Sequence, residues 1–191
     1  ALGFITGLDY ANPWLSPFEE MQRWKTHPNI RWYLEGDEAH GIKPGKRISY
    51  GARAITAGGL LSLPKTVFPG GALVGDDAGY LNASRIKGSH AAIKSGMLAA
   101  EAAYDAVTAG RQHDELTAYP EAYAKSWLAA ELDQSRNFKA WFKKGLYVGS
   151  LMTGIEQWLL PKLGIKSPPW TIHRDKPDYA MLKPASECQP I

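Results

Sequence analysis

Residues 71–96 read GALVGDDAGYLNASRIKGSHAAIKSG. The run ALVG at 72–75 is short, continuous and apolar, the pattern of a buried strand. Asp76 and Asp77 stand where that strand ends, and a glycine-bearing loop leads into small residues. From about Gly88 to Val107 the spacing predicts one long helix, stopped at Gly110. Ala91, Ala92, Gly96, Ala99, Ala100, Ala103 and Ala106 would let it pack closely, while Ile93, Met97, Tyr104 and Val107 supply larger apolar surface. A strand, an acidic turn and a small-residue helix suit a dinucleotide. The Asp76 carboxylate can accept hydrogen bonds from sugar or polyol hydroxyls. Gly75 and Gly79 would let the backbone approach a ligand. The amides near Gly88, Ser89 and His90 have no partner within the helix and would favour an anion. The same spacing also describes a strand–turn–helix with an acidic turn and no ligand. No G-x-G-x-x-G follows a strand at the N-terminus, so this is not a complete nucleotide site of the common type.

The remaining composition narrows the field. The chain has 191 residues, 45% of them hydrophobic and 21% charged, as in a globular protein. Its net charge of +3 makes no case for nucleic acid, and no arginine–aromatic array of the kind single strands need is present. Cys188 is the one cysteine; alone it makes no internal disulfide and ligates no cluster. The five histidines show no metal-ligand spacing. The chain opens without Met or a signal-peptide pattern and closes on Pro-Ile, which reads as a piece of a longer protein.

Upstream, ALGFITGLDY starts as a strand and ends in turn-forming residues. Ser16, Pro17 and Glu19 predict a capped helix start, Phe18, Met21 and Trp24 give it one apolar face, and Pro28 stops it. NIRWYLEG reads as a further turn or two of helix ended by Gly36. An exposed loop at 36–51, a short strand at 52–56 and irregular chain at 57–71 follow. Residues 119–144 predict one or two amphipathic helices, and the proline-bearing tail from Gly164 reads as extended or looped.

GLYVGSLMTGIEQWLL at 145–160 carries one charge, Glu156, between lysines at 139, 143 and 144 and at 162 and 166. It falls short of the ~20 residues that a spanning helix needs. Two readings fit. Leu146, Leu151, Met152, Ile155, Trp158 and Leu159 form a buried helix face, or they lie in the plane of a membrane with Trp141, Phe142, Tyr147 and Trp158 at headgroup depth and the lysines on anionic lipid.

The string GALVGDDAGYLNASRIKGSHAAIKSGMLAAEAA resembles the second flavin-binding segment of the electron transfer flavoprotein–ubiquinone oxidoreductase family. The resemblance extends through GLDYANPWLSPFEEMQRWKTHPNI, GKRISYGARAITAGGLLSLPK and VFPGG upstream and WTIHRDKPDYAMLKPASECQPI downstream, nearly the whole chain. It implies an α/β to α+β chain: a partial glutathione-reductase-like FAD-binding fold with part of the adjoining quinone-binding domain. The implied division is 1–58 in the quinone-side domain with a helical insertion and 59–118 in the C-terminal half of the FAD domain. Residues 119–191 would be a helical membrane-facing region, with a tail leading to an iron-sulfur domain beyond this chain.

Family members carry FAD and a [4Fe-4S] cluster and pass electrons from reduced electron transfer flavoprotein to ubiquinone at a membrane. By resemblance, Asp76 would hold a ribityl hydroxyl of FAD, with Gly75 and Gly79 beside it. The backbone of Asn82, Ile86, Lys87, Gly88 and Ser89 would lie near the flavin ring, the helix start aimed at its N1–C2 carbonyl edge. The membrane anchor would comprise Trp141, Phe142, Leu146, Tyr147, Leu151, Met152, Ile155, Trp158 and Leu159. The implied location is peripheral, on the cytoplasmic face of a bacterial inner membrane or on the mitochondrial inner membrane. No catalytic acid–base residue and no metal ligand is assigned. A cluster-free FAD-dependent reductase of the same flavoprotein class and a flavin-free membrane-binding module stay open as alternatives.

Overall fold

Ser16 and Gly36 bound the first helical pair in a computed structural model that describes residues 2–173 and 176–191. The Ser16 hydroxyl accepts a hydrogen bond from the Glu19 amide at 3.3 Å, with Pro17 at the first helical position, and α1 runs Pro17–Lys25. Pro28 ends that run by starting the next one. His27 Nδ1 accepts from the Asn29 amide at 3.2 Å, and α2 runs Pro28–Glu35. Gly36, at φ +82°, closes α2 where a Cβ would meet Ile42 O at 2.8 Å.

These helices belong to the first of two units, Ala1–Ala52 with Arg174–Ile191. The C-terminal residues tie down the 11–14 turn: Lys183 N donates to Ala11 O (2.9 Å), Asn12 Nδ2 to Gln189 O (2.9 Å) and Trp14 Nε1 to Ala185 O (3.3 Å). No described residue of this unit is buried. The strand expected at the start does not form. Residues 2–7 are irregular, because a strand exists only through a ladder partner and none lies beside them among the described residues. Ala1, where that strand was to begin, and Arg174–Asp175, within the expected extended tail, lie outside the described residues.

The second unit, Arg53–His173, has a core of its own. The strand expected at 52–56 is irregular chain. The irregular segment expected at 57–71 is partly ordered, with a 3-10 turn at Gly59–Ser62 and a hairpin of β1 (Val67–Phe68) and β2 (Gly71–Ala72). Pairing is antiparallel, Val67 with Ala72 and Phe68 with Gly71, across Pro69–Gly70. Gly70 has φ +78°, as the third position of a Pro-Gly turn requires. This hairpin is the sheet among the described residues, so the buried strand expected at 72–75 shrinks to Gly71–Ala72. The ladder continues only to Leu73 N, which donates to Thr66 O, and then has no further strand to pair with. The chain is therefore a mixture of helix and strand that is mostly helix.

α3 (Ser89–Thr108) fulfils its sequence pattern within a residue. Ala91, Ser95, Leu98, Ala99, Ala102 and Ala106 are buried in one stripe. Ile93, Met97, Tyr104 and Val107 lie on the exposed side. Residues 119–144 form three short helices, one more than the sequence suggested: α4 (Ala118–Ala124), α5 (Trp127–Gln134) and α6 (Phe138–Phe142). Tyr119, Leu128 and Leu132 are fully buried against α3 with Val67, Ala78 and Tyr80. α7 (Leu146–Gly154) starts at Gly145, φ +103°, and packs on α6 where Gly149 faces Phe142; a Cβ there would come within 2.8 Å of the ring. A π-helical segment, Ile155–Leu159, and α8 (Leu160–Lys162) continue it.

Candidate functional site

The chain between β2 and α3 is shaped by two glycines in the left-handed region. Gly75 has φ +63°, its amide donates to the buried Ser95 Oγ at 2.9 Å, and a Cβ would sit 3.3 Å from Ala92 Cβ. The turn Gly75–Asp77 thus lies directly on the small face of α3. Gly79 follows with φ +93°, and neither position suits a residue with a Cβ. Asp76 is half-buried in that turn. Among the described residues its carboxylate accepts no hydrogen bond and joins no ion pair, leaving its lone pairs available.

Asn82 stands at the next turn and is 2% exposed. Its Oδ1 accepts from Ser84 N (3.1 Å), Ser84 Oγ (2.7 Å) and Arg85 N (3.4 Å), and its Nδ2 donates to Glu131 Oε1 on α5 at 2.8 Å. Its backbone N and O both pair with Lys87. The side chain is therefore spent on closing the 82–87 loop and docking it on α5. Ile86, at the loop's tip, is 70% exposed with φ +52°. A β-branched residue there costs about 1–2 kcal/mol. Gly88 leads into α3, where a Cβ would meet Leu81 Cδ1 at 2.8 Å.

The start of α3 carries no side-chain cap and no acidic residue in its first turn. Its free amides and the helix dipole leave that point positive. Beside it stands a cluster that sequence reading did not assemble. His90 Nε2 lies 2.8 Å from Glu131 Oε1, and the Arg85 guanidinium 3.7 Å from Glu131 Oε2. The His90 ring stacks on Trp127, centroids 5.7 Å apart and planes 11° apart. Burial pushes the Glu131 carboxyl up. The hydrogen bonds from Asn82 and His90 outweigh it and hold the group below the usual carboxylate range. A polar cleft of about 360 Å³ borders this cluster, lined by Arg85, Glu131, Gln134 and Gln157 among others. No metal-holding group of histidine, cysteine or carboxylate occurs among the described residues.

The apolar stretch sorts into two faces. Leu146, Tyr147, Leu151, Trp158 and Leu159 are exposed, Tyr147 by 89%; Trp141, Phe142, Met152 and Ile155 are half-buried. The buried-face reading of that stretch thus fails for Leu146, Leu151, Trp158 and Leu159. An open apolar groove of about 400 Å³ runs past Leu151, Ile155, Trp158 and Leu159. Glu156 turns the other way. It is 2% exposed, and its Oε1 accepts from Asn137 Nδ2 (2.9 Å), Trp141 Nε1 (2.8 Å) and Trp170 Nε1. Arg136 adds donors to Pro168 O (2.5 Å) and Trp170 O (3.0 Å), so the extended tail is strapped to the corner between α5 and α6. The sequence signal for Glu156 was its solitary charge in an apolar run. Glu131 and Asn137 gave none, since their partners lie 19 to 49 residues away.

Residues 1–55 match the family described as ETF-QO, ubiquinone-binding. Over its whole length the chain is 54% identical to the electron transfer flavoprotein-ubiquinone oxidoreductase of Pseudomonas aeruginosa, covering 33% of it. Over 95% of its length it is 48% identical to a probable enzyme of that name from Acinetobacter baylyi, again covering 33%. The human mitochondrial protein of the same name is 44% identical over the whole chain, which covers 30% of it. The chain thus spans about a third of the length of the curated relatives it matches. By sequence the chain is similar, along its whole length, to about a third of an electron transfer flavoprotein–ubiquinone oxidoreductase.

Proposed function

We propose that this chain supplies part of the FAD site and a membrane-facing surface to an enzyme that carries electrons from reduced electron transfer flavoprotein to ubiquinone. The observation that carries the reading is the similarity along all 191 residues to proteins of that name. The residues present fit FAD. Asp76 has open acceptor positions at a glycine-shaped turn, suited to a ribityl hydroxyl. The bare positive start of α3 suits the N1–C2 carbonyl edge of the ring, where negative charge gathers on reduction. FAD would supply the electron-carrying chemistry; the protein positions and tunes it. Asn82 would act through the loop it closes, leaving the backbone from Ile86 to Ser89 to face the ring. The [4Fe-4S] cluster does not fit this chain. Cys188 is its one thiol, so cluster ligands would have to come from beyond these residues.

On this reading residues 1–58 belong to the quinone-side domain, 59–118 to a glutathione-reductase-like FAD domain, and 119–191 to the membrane-facing region and tail. The exposed Ile93, Met97, Tyr104 and Val107 would pack against the rest of the FAD domain. No helix among the described residues is long and apolar enough to cross a bilayer. The exposed face of α7 and the π segment would instead lie in the interface, each buried side chain contributing roughly 1.5–3 kcal/mol. The protein would then be peripheral to a bacterial inner membrane on its cytoplasmic side, or to the mitochondrial inner membrane in a eukaryote.

The test is the visible spectrum and iron content of the complete natural gene product that contains this chain, purified in detergent. Flavin bands with four irons per chain, about the content of one [4Fe-4S] cluster, support the reading. Flavin without iron replaces it with a cluster-free reductase. Neither cofactor leaves a membrane-binding module. Sedimentation with vesicles, compared between the natural sequence and Leu151→Glu/Trp158→Glu, checks the surface. Equal binding by both removes the anchor.

A further inference from the structure

We propose that His90, held by Glu131, is a charge-compensating proton site for the group at the start of α3. This rests on the FAD reading above. His90 is the second residue of α3, at the helix end where that group would carry added negative charge. Its Nε2 faces a carboxylate oxygen at 2.8 Å, so Nε2 bears the hydrogen and Nδ1 the lone pair. Nδ1 meets no hydrogen-bond partner among the described residues, and the side chain is 37% exposed, open to water. Stacking on Trp127 fixes the ring plane.

Two charged groups from other elements stand beside the ring, and Lys94 lies one turn on along α3 itself. Glu131 comes from α5, and Arg85, from the loop before α3, stands behind it at 3.7 Å. Asn82 Nδ2 at 2.8 Å and Arg85 keep Glu131 anionic, and the polar cleft that borders Glu131 gives water a route to the cluster. Glu131 therefore does not carry the proton; it stabilises the charge His90 acquires. The helix dipole and the Glu131 carboxylate act on the ring in opposite senses.

The step balances simply. With the cofactor bound, one electron delivered by the protein-borne reduced flavin of the donor would add one negative charge at the start of α3. A hydronium ion gives its proton to Nδ1, an N–H bond forms, water is released, and the histidine is neither oxidised nor reduced. When the electron leaves, the proton returns to water.

The experiment measures proton uptake on reduction with a pH-indicator dye in weak buffer, together with the pH dependence of the flavin midpoint potential, in the complete flavin-loaded gene product. His90→Gln is expected to take up fewer protons per electron than the natural protein and to flatten the potential-against-pH curve. Glu131→Gln, which keeps the shape but removes the charge, is expected to fall between them. Uptake unchanged in His90→Gln overturns the proposal while leaving the FAD reading intact. A complete gene product without flavin overturns both. If His90→Gln fails to fold, Glu131→Gln decides: unchanged uptake and potential curve in that variant overturn the proposal.

Discussion

Glu156→Ala should destabilise the second unit by about 3 kcal/mol or more, while Glu156→Gln should cost about 1 kcal/mol. The difference follows from what the carboxylate oxygen does. Oε1 accepts from three N–H donors, and truncation removes the acceptor without removing the donors. Asn137 Nδ2 keeps Trp170 O at 3.1 Å for one of its two N–H groups and loses the acceptor of the other, so the sum that follows from the two indoles is a lower bound. The Trp141 indole N–H is orphaned, at about 2 kcal/mol for a desolvated donor. Trp170 is 36% exposed, so water partly takes over its N–H and its share is nearer 1 kcal/mol. A side-chain amide oxygen in Glu156→Gln reaches the same donors and forfeits only the charge assistance. Three kcal/mol is more than a hundredfold in the folding equilibrium. Urea unfolding followed by far-ultraviolet circular dichroism reads the stability. Exchange of the Trp141 and Trp170 indole protons with solvent reads the local bonds. If Glu156→Ala lies within about 1 kcal/mol of the natural sequence, or if Glu156→Gln is equally damaging, the carboxylate is not the acceptor hub described.

Stability should also fall in acid through Glu131. Its folded carboxyl titrates below its ordinary range, so the stabilisation is fully present above that range and is lost as pH falls through the folded value. Glu131→Gln should flatten the acid limb of the pH–stability curve, and an unchanged limb would exclude Glu131 as its source. The buried Tyr123 hydroxyl has no hydrogen-bond partner among the described residues, so Tyr123→Phe should be neutral or raise thermal stability slightly. Tyr119→Phe loses the 3.1 Å bond to Leu73 O and should lower stability by about 1 kcal/mol; the reverse order in a melting curve would contradict both assignments. Gly75→Ala should cost roughly 1–2 kcal/mol from its left-handed backbone alone, with further loss from crowding against Ala92, measurable in the same denaturation.

The helices were legible because their signals are local. Ser16, Pro17 and Glu19 lie within one turn of each other and act there, and the buried stripe of α3 repeats at helical spacing inside one segment. The strands were not, because a strand is a property of two segments. FITG at 4–7 and ALVG at 72–75 have the composition of strands, yet in each case pairing stops where no neighbour stands beside it among the described residues. The candidate site divides along the same line. Gly75 and Gly79 showed in the sequence because the backbone conformation they permit is intrinsic to glycine. The occupation of Asn82 did not show, since its partner Glu131 lies 49 residues on and nothing around either residue marks the pair.

Asn82 also separates two ways in which a residue can serve a cofactor. Its amide is consumed within the protein, and that consumption bends the 82–87 loop tightly enough to hold Ile86 in a conformation it does not favour. The same loop delivers Gly88 to the start of α3. Glu131 anchors it from the other side while holding His90. One carboxylate on α5 thus fixes both the loop and the first turn of the helix. Truncation of Glu131 to Ala should therefore disturb the geometry at the start of α3 as well as the charge there, whereas the isosteric Gln removes the charge alone and a substitution at Asp76 should affect only what binds to it.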